Sequence, residues 1–398
     1  MTLSASLLDA KFVLLLGALG ILRFACPPRF FPWLLCVGSA GLIGLASPKT
    51  LLAIAGVTLL WVYPMHRLLK IGADRGWSER KLHTVLALGI GLLVFLLVFF
   101  KVYREFTIPW FGGGLIRKEF LAIAGFSYFI FRAISILRIN ALMKVHEGNP
   151  LTMLCYALFP PTLTSGPIQK YQDFRQQVSK PLPVSRNLLL DAGYRITRGY
   201  FRKVVLAVIL NGFAQKLMGQ ADFTILTSVL TLAVLYFYFY FDFAGYSDIA
   251  IGFGLLYGIR VPENFRKPFQ ATTISEFWRN WHITLVDWLR ENVFIPLGGM
   301  RGSRTRAAAL VFLIMVLCGL WHGLSLTFIA WGAWHGSWLA FEALAGAGPL
   351  PPALRHGPKY WAMVLWTNAR VAFASILFLP DTTTMLRLLK GLTKLGGF

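Results

Sequence analysis

Apolar runs recur along this chain at a length and spacing suited to a bilayer. They fall near residues 11–24, 31–46, 50–65, 82–100, 119–139, 150–165, 188–212, 224–257, 307–330, 331–346 and 360–379. Several approach the roughly 20 residues that an α-helix needs to cross the hydrocarbon core. The pattern predicts an all-α polytopic membrane protein with about ten or eleven spanning or re-entrant segments. No polar stretch is long enough for a separate soluble domain, so residues 1–398 are expected to form one integral membrane domain. The first run, Phe12–Leu22, has no basic region before it and no Ala-x-Ala site after it, so a retained helix is expected there.

Two regions interrupt the pattern. Residues 166–187 mix Gly166, Pro167, Pro181 and Pro183 with Lys, Gln, Asp and Arg, and predict a polar loop. Residues 258–306 are too polar to span simply, yet they are rich in tryptophan. Thr273 followed by Glu276 fits a capping box and predicts a helix from about Ile274 to Val293. That helix would carry Trp278, Trp281 and Trp288 beside Arg279, His282, Asp287, Arg290 and Glu291. Such polarity suits a surface amphipathic helix, or a buried or re-entrant one lining a wet funnel.

Composition supports the membrane reading: 56% of residues are hydrophobic and only 14% charged. The net charge of +22 would suggest nucleic acid in a soluble protein. Here Lys and Arg lie mainly between apolar runs, where they act as cytoplasmic retention signals, so no nucleic acid is expected as partner. Cys26, Cys36, Cys155 and Cys318 form no Cys-x-x-Cys pair and read as small buried residues.

Histidine carries the candidate chemistry. His66, His83, His146 and His356 lie in or near polar connections and are expected to be solvated. His282, His322 and His335 each follow a tryptophan, the last two within Trp-His-Gly. A histidine in apolar helix is costly unless paired or functional. His322 has the strongest claim, and Gly319 and Gly323 beside it would let another helix or a substrate approach closely.

Other chemistries fit less well. His322 and His335 lie 13 residues apart, so they could share a site only if the chain turns back between them. No acidic residue joins them at metal-ligand spacing, and no metal is expected. Cys318 shares a helical face with His322, but its apolar setting offers nothing to form a thiolate. The economical role for His322 is general base, taking the proton of an acceptor hydroxyl as it attacks an activated acyl carbonyl. His282 or Arg279 would orient the donor or stabilise the oxyanion. Asp242 and Asp248, six apart, point to opposite faces of a helix and suit helix–helix bonding better than paired acid/base work.

Five ordered blocks carry a family resemblance. They are Pro262–Pro268 (PENFRKP), Glu276–His282 (EFWRNWH), Trp288–Arg290 (WLR), Ile295–Gly299 (IPLGG) and Gly319–Gly323 (GLWHG). With Phe241–Ser247 and Ser165–Ile168 upstream, this run resembles the bacterial membrane-bound O-acyltransferases, with a signature region at about 160–345. The resemblance implies a helical ring around a catalytic chamber, with His322 catalytic and His282 on its re-entrant part. It also implies a tunnel with the acyl donor entering from the cytoplasm and the acceptor from outside. Trp278, Arg279, Trp281, Trp321, Asp242 and Ser247 are the expected lining.

Within the family, Thr164–Ile168 and Phe131–Ala133 are similar to the branch that D-alanylates teichoic acids from a phosphopantetheinyl carrier-protein thioester. Ile295–Gly299 and Trp331–His335 are similar to the branch that O-acetylates alginate. The expectation adopted is the carrier-protein branch, with acyl-coenzyme A as the alternative donor and no bound cofactor. Expected partners are an acidic acyl carrier protein, the lipid bilayer, and a membrane or extracytoplasmic acyltransferase. Arg301, Arg304 and Arg306, without an acidic neighbour, are the expected docking rim on the cytoplasmic side of the cytoplasmic membrane. A transporter would need inverted repeats, which the sequence lacks, and a scaffold would not explain the polar cluster at 240–322.

Overall fold

The computed structural model describes residues 10–105, 123, 125–143, 148–220, 222–379 and 382–393. The described residues form helices α1 (Ala10–Ala25), α2 (Phe31–Ala46), α3 (Pro48–Asp74), α4 (Glu79–Glu105) and α5 (Phe126–Met143). Next come α6 (Pro150–Ala157), α7 (Tyr171–Ser179) and α8, which runs from Arg186–Tyr200 through a π-helical turn at Phe201–Leu206 into Ala207–Met218. α9 (Ile225–Leu256), α10 (Ile274–Asn280), α11 (Ile283–Leu289), α12 (Arg304–His322), α13 (Leu326–Ala345), α14 (Gly357–Ala374) and α15 (Thr382–Thr393) complete the order.

Six helical stretches among the described residues are long and apolar enough to cross a membrane: Pro28–Ala46, Pro48–Asp74, Glu79–Val102, Ile225–Leu256, Arg304–His322 and Gly357–Phe378. Their outward faces are greasy. Leu45, Leu52 and Leu60 are 79%, 73% and 80% exposed, which water would penalise and lipid would not. The helix starts follow local chemistry: the side chains of Ser47, Asn149, Thr273, Ser303 and Ser325 each accept from a first-turn backbone N–H. Each such cap is worth about 1 kcal/mol.

Several expectations need correction. The run at 150–165 makes only the eight-residue α6 and a tight turn at Pro160–Thr162, because Pro160 and Pro161 cannot continue a helix. The expected loop at 166–187 contains α7, whose Tyr171, Phe174 and Val178 are buried on one face. The run at 307–330 divides at His322–Ser325 into α12 and α13. His66 is fully buried within α3 rather than solvated. His83 and His356 are exposed, and His146 lies outside the described residues.

The fold divides into two compact units, Met1–Thr197 with Ser247–Pro262, and Arg198–Tyr246 with Glu263–Phe398. In the first, the rings of Tyr156, Phe159, Phe174 and Tyr257 pack in tilted and edge-to-face pairs. The buried Arg132 guanidinium there donates to the Tyr156 and Thr162 carbonyls, tying α5 to the chain around α6. The second unit contains the α12–α13 hairpin, α10, α11 and α14, and an apolar core under α15 formed by Leu217, Phe223, Leu235, Ile376 and Leu388.

Candidate active site

His322 is the last residue of α12. The backbone becomes extended at Gly323, and Ser325 caps α13, so the chain reverses within three residues. The two helices then run in close contact. A Cβ at Gly319 would strike the Phe328 carbonyl, and one at Gly332 would strike the Met315 carbonyl. The glycine expected to admit a helix or a substrate therefore admits a helix. This reversal leaves the His322 imidazole half-buried in an aromatic enclosure. Trp321, Trp331, Phe378 and Phe328 have ring centroids 4.7, 5.2, 5.1 and 6.0 Å from it.

The helix expected over Ile274–Val293 is broken at its centre. α10 stops at Asn280, Trp281 is extended, and His282 takes a left-handed conformation with φ 47° and ψ 47° before α11 starts. Few residues other than glycine adopt that conformation, so neighbours must impose it. Segment 264–266 does so. Arg266 N–H donates to the Asn280 carbonyl at 3.0 Å, and Ile283 N–H donates to the Asn264 carbonyl at 3.0 Å. The fully buried Asn264 side chain accepts from Thr284 Oγ1 at 2.7 Å and Thr284 N at 3.3 Å, and meets His282 Nδ1 at 3.2 Å. Phe243 of α9 closes edge-on against His282 at 4.6 Å.

His282 lies outside the six candidate spans and is buried. Burial first, and the charge of nearby His322 second, hold its imidazole well below the ordinary histidine range, at about 3. It is neutral at physiological pH.

α10 is held at both ends. Thr273 Oγ1 accepts from Glu276 N at 3.0 Å, as a capping box requires. The Glu276 carboxylate does not return to Thr273. It accepts from Thr272 N and Oγ1 at 2.8 and 2.9 Å, and pairs with Arg355 at 2.5 Å. The first two helical amides, Ile274 N and Ser275 N, donate instead to the buried Glu342 carboxylate of α13 at 2.7 and 2.8 Å. Two turns earlier on α13, buried His335 accepts from Trp278 Nε1 at 3.4 Å. Trp331 packs between them all, 4.9 Å from His335, 5.6 Å from Trp278 and 5.2 Å from His322. An aromatic path thus joins α10 to His322.

The other expected site residues divide. Trp278 and Trp321 lie on this path. Trp281 stacks on Phe277 and Tyr236, as part of the packing between α10 and α9. Arg279 is exposed, and its charge acts on Glu342. Asp242 is paired with Lys203, and Asp248 with Arg195 at 2.7 Å, so the two aspartates serve separate ion pairs. Ser247 is buried in the first unit. Arg301, Arg304 and Arg306 are all exposed, yet Arg306 is spent on structure: it donates to the Arg301 and Leu297 carbonyls at 3.0 and 2.7 Å. Among the described residues no group of three His, Cys, Asp or Glu is placed to hold a metal ion.

Asn264, Glu342, Phe243 and Phe378 were not anticipated as site residues. Asn264 stands in the quoted Pro262–Pro268 block, which was the available signal. Glu342 was legible only as an acidic residue in an apolar helix.

The model of the membrane-bound O-acyltransferase family, MBOAT, matches residues 141–357. Among curated proteins, a probable alginate O-acetylase AlgI of Pseudomonas putida is 36% identical over 326 residues, covering 77% of this chain and 64% of that protein. The teichoic acid D-alanyltransferase of Streptococcus thermophilus is 32% identical over 295 residues, covering 69% and 65%. The peptidoglycan O-acetyltransferase of Helicobacter pylori is 38% identical over 186 residues, covering 45% and 35%. The chain spans about three-fifths of the length of the alginate O-acetylases it matches.

Proposed function

The chain belongs to the membrane-bound O-acyltransferase family, and from that premise we propose that it transfers an acyl group from a thioester donor to a hydroxyl of a cell-envelope polymer or its intermediate carrier. The observation that carries this reading is His322 itself, set at the mouth of a reversed helix pair, walled by aromatic rings and near a buried neutral histidine. His322 accepts the proton of the acceptor hydroxyl as its oxygen attacks the thioester carbonyl. The tetrahedral intermediate then expels the thiolate, which takes that proton back from the imidazolium. The aromatic walls disfavour water, the competing nucleophile that would waste the thioester.

We place the enzyme in the cytoplasmic membrane, with its donor a phosphopantetheinyl carrier-protein thioester carrying D-alanine. Exposed Ile295, Leu297 and Met300 beside Arg301 and Arg304 would offer an acidic carrier both apolar contact and charge. A membrane or extracytoplasmic acyltransferase would receive or pass on the group. A second reading, O-acetylation of a polysaccharide, draws support from the alginate O-acetylase match, which covers 77% of this chain at 36% identity.

Proteoliposomes containing the protein, given radiolabelled D-alanyl carrier protein or acetyl donor with envelope polymer outside, would test both. Label should reach the polymer with wild type and not with His322→Ala. Transfer undiminished in His322→Ala would overturn the reading, and the productive donor would choose the branch.

A further inference from the structure

The geometry around the helix break assigns a role to Asn264. We propose that Asn264 is a positioning residue that locks His282 in the Nδ1–H tautomer, leaving Nε2 as the nitrogen that carries the lone pair. The inference deepens the acyl-transfer reading and rests on it for its kinetic test alone.

The amide orientation follows from a donor whose identity is certain. Thr284 N is a backbone amide and can only donate, and it approaches the same Asn264 atom that Thr284 Oγ1 and His282 Nδ1 approach. That atom is therefore the carbonyl oxygen, which can only accept. His282 Nδ1 must then carry a hydrogen, and in a neutral imidazole Nε2 carries the lone pair. A lone pair cannot stabilise an oxyanion. Of the two roles expected for His282, orienting the donor or stabilising the oxyanion, this tautomer favours the first.

The lock has three further supports. Asn264 is fully buried, so water does not compete for its oxygen. Its backbone carbonyl holds Ile283 N, fixing the residue after His282. Phe243 fixes the ring plane at 87°. The titratable group acting on His282 from a neighbouring helix is His322 of α12; α9 presents the apolar Phe243, and segment 264–266 presents the neutral Asn264 amide.

Asn264→Asp keeps the shape and the accepting oxygen, exchanges the amide NH2 for a second oxygen and adds a negative charge, which favours the imidazolium. Asn264→Ala removes the lock. Nitrogen-15 NMR of histidine-labelled protein should show for wild type an Nδ1-protonated neutral signal that is lost in His282→Ala. In Asn264→Asp this signal should convert to the doubly protonated form at a pH where wild type is still neutral. In transfer assays Asn264→Ala should lower kcat on the order of 10–100-fold, the scale of losing a histidine's orienting partner. Asn264→Asp should recover the fold, with an acidic limb of the pH–rate profile moved upward. A merely structural Asn264 would leave that limb in place, and an Nε2–H signal in wild type would overturn the proposal. Because the NMR signal needs no turnover, it stands or falls separately from the acyl-transfer reading.

Discussion

Replacing Glu342 should destabilise the protein through a helix that Glu342 does not belong to. Its carboxylate, 5% exposed, accepts from the amides of Ile274 and Ser275 at 2.7 and 2.8 Å. These are orphan donors that no intrahelical carbonyl can reach. In Glu342→Ala both are left buried without the carboxylate, at about 1–3 kcal/mol each. The negative charge that suits a helix N-terminus is also lost, adding about 0.3–1 kcal/mol. Arg370, buried and sandwiched between Trp338 and Trp366 at 4.5 and 5.3 Å, loses a counter-charge as well. The two unmet donors and the lost helix-terminus charge together come to about 2–7 kcal/mol. Glu342→Gln keeps one oxygen and should lose about half of that, while Thr273→Ala should cost only about 0.5–2 kcal/mol, the usual price of a cap. Thermal unfolding in detergent, followed by the monodisperse fraction after heating, should rank wild type above Thr273→Ala and Glu342→Gln, with Glu342→Ala lowest. Unchanged melting of Glu342→Ala, or equal loss in Gln and Ala, would refute the capping account.

Further outcomes follow from the same geometry. His322→Ala should lower transfer by about 10²–10⁴-fold, the range of a general base, with insertion and melting intact. Cys318→Ser should keep most of the activity, and an acyl-thioester trapped on Cys318 would replace direct transfer with a covalent route. Gly332→Leu should lower the melting temperature, since overpacking against the Met315 carbonyl costs typically about 1–3 kcal/mol. Arg301→Glu with Arg304→Glu, leaving Arg306 to hold its loop, should weaken use of a carrier-protein donor and flatten the salt dependence of what remains. Wild-type salt dependence in that pair would remove the loop from docking.

Much of the fold was legible because membrane helices announce themselves by length and apolarity, as Glu79–Val102 and Ile225–Leu256 do. His322 stands out in the sequence as a candidate because an imidazole within an apolar run needs a reason. Tertiary requirements were not. Nothing local to Tyr63–Asp74 says that His66 is buried, since burial is conferred by whatever packs on that face. Arg306 looked equivalent to Arg301 and Arg304, and only the turn that brings the Leu297 carbonyl back to it separates the three. Glu276 met the capping-box pattern, but its carboxylate was drawn to Thr272 and Arg355, partners 4 and 79 residues away.

The failure over Ile274–Val293 is the informative one. Thr273, the spaced tryptophans and the lack of Gly or Pro all argue for one continuous helix, and every local rule was satisfied. The chain nevertheless stops at Asn280 and strains His282 into φ 47°. A non-glycine residue in that region costs of order 1–3 kcal/mol, so the surroundings must over-determine it. They do: Asn264 and the Arg266 and Ile283 amides hold the break, while Glu342 and His335 hold α10. A continuous helix would place residue 282 in register with Trp278 and turn it with that face. Breaking it frees His282 from the helical register, so that Trp278 can reach His335 while His282 faces Asn264 and Phe243. Sequence patterns describe what each segment prefers alone. Here two other segments, one of them the PENFRKP block, override that preference at His282.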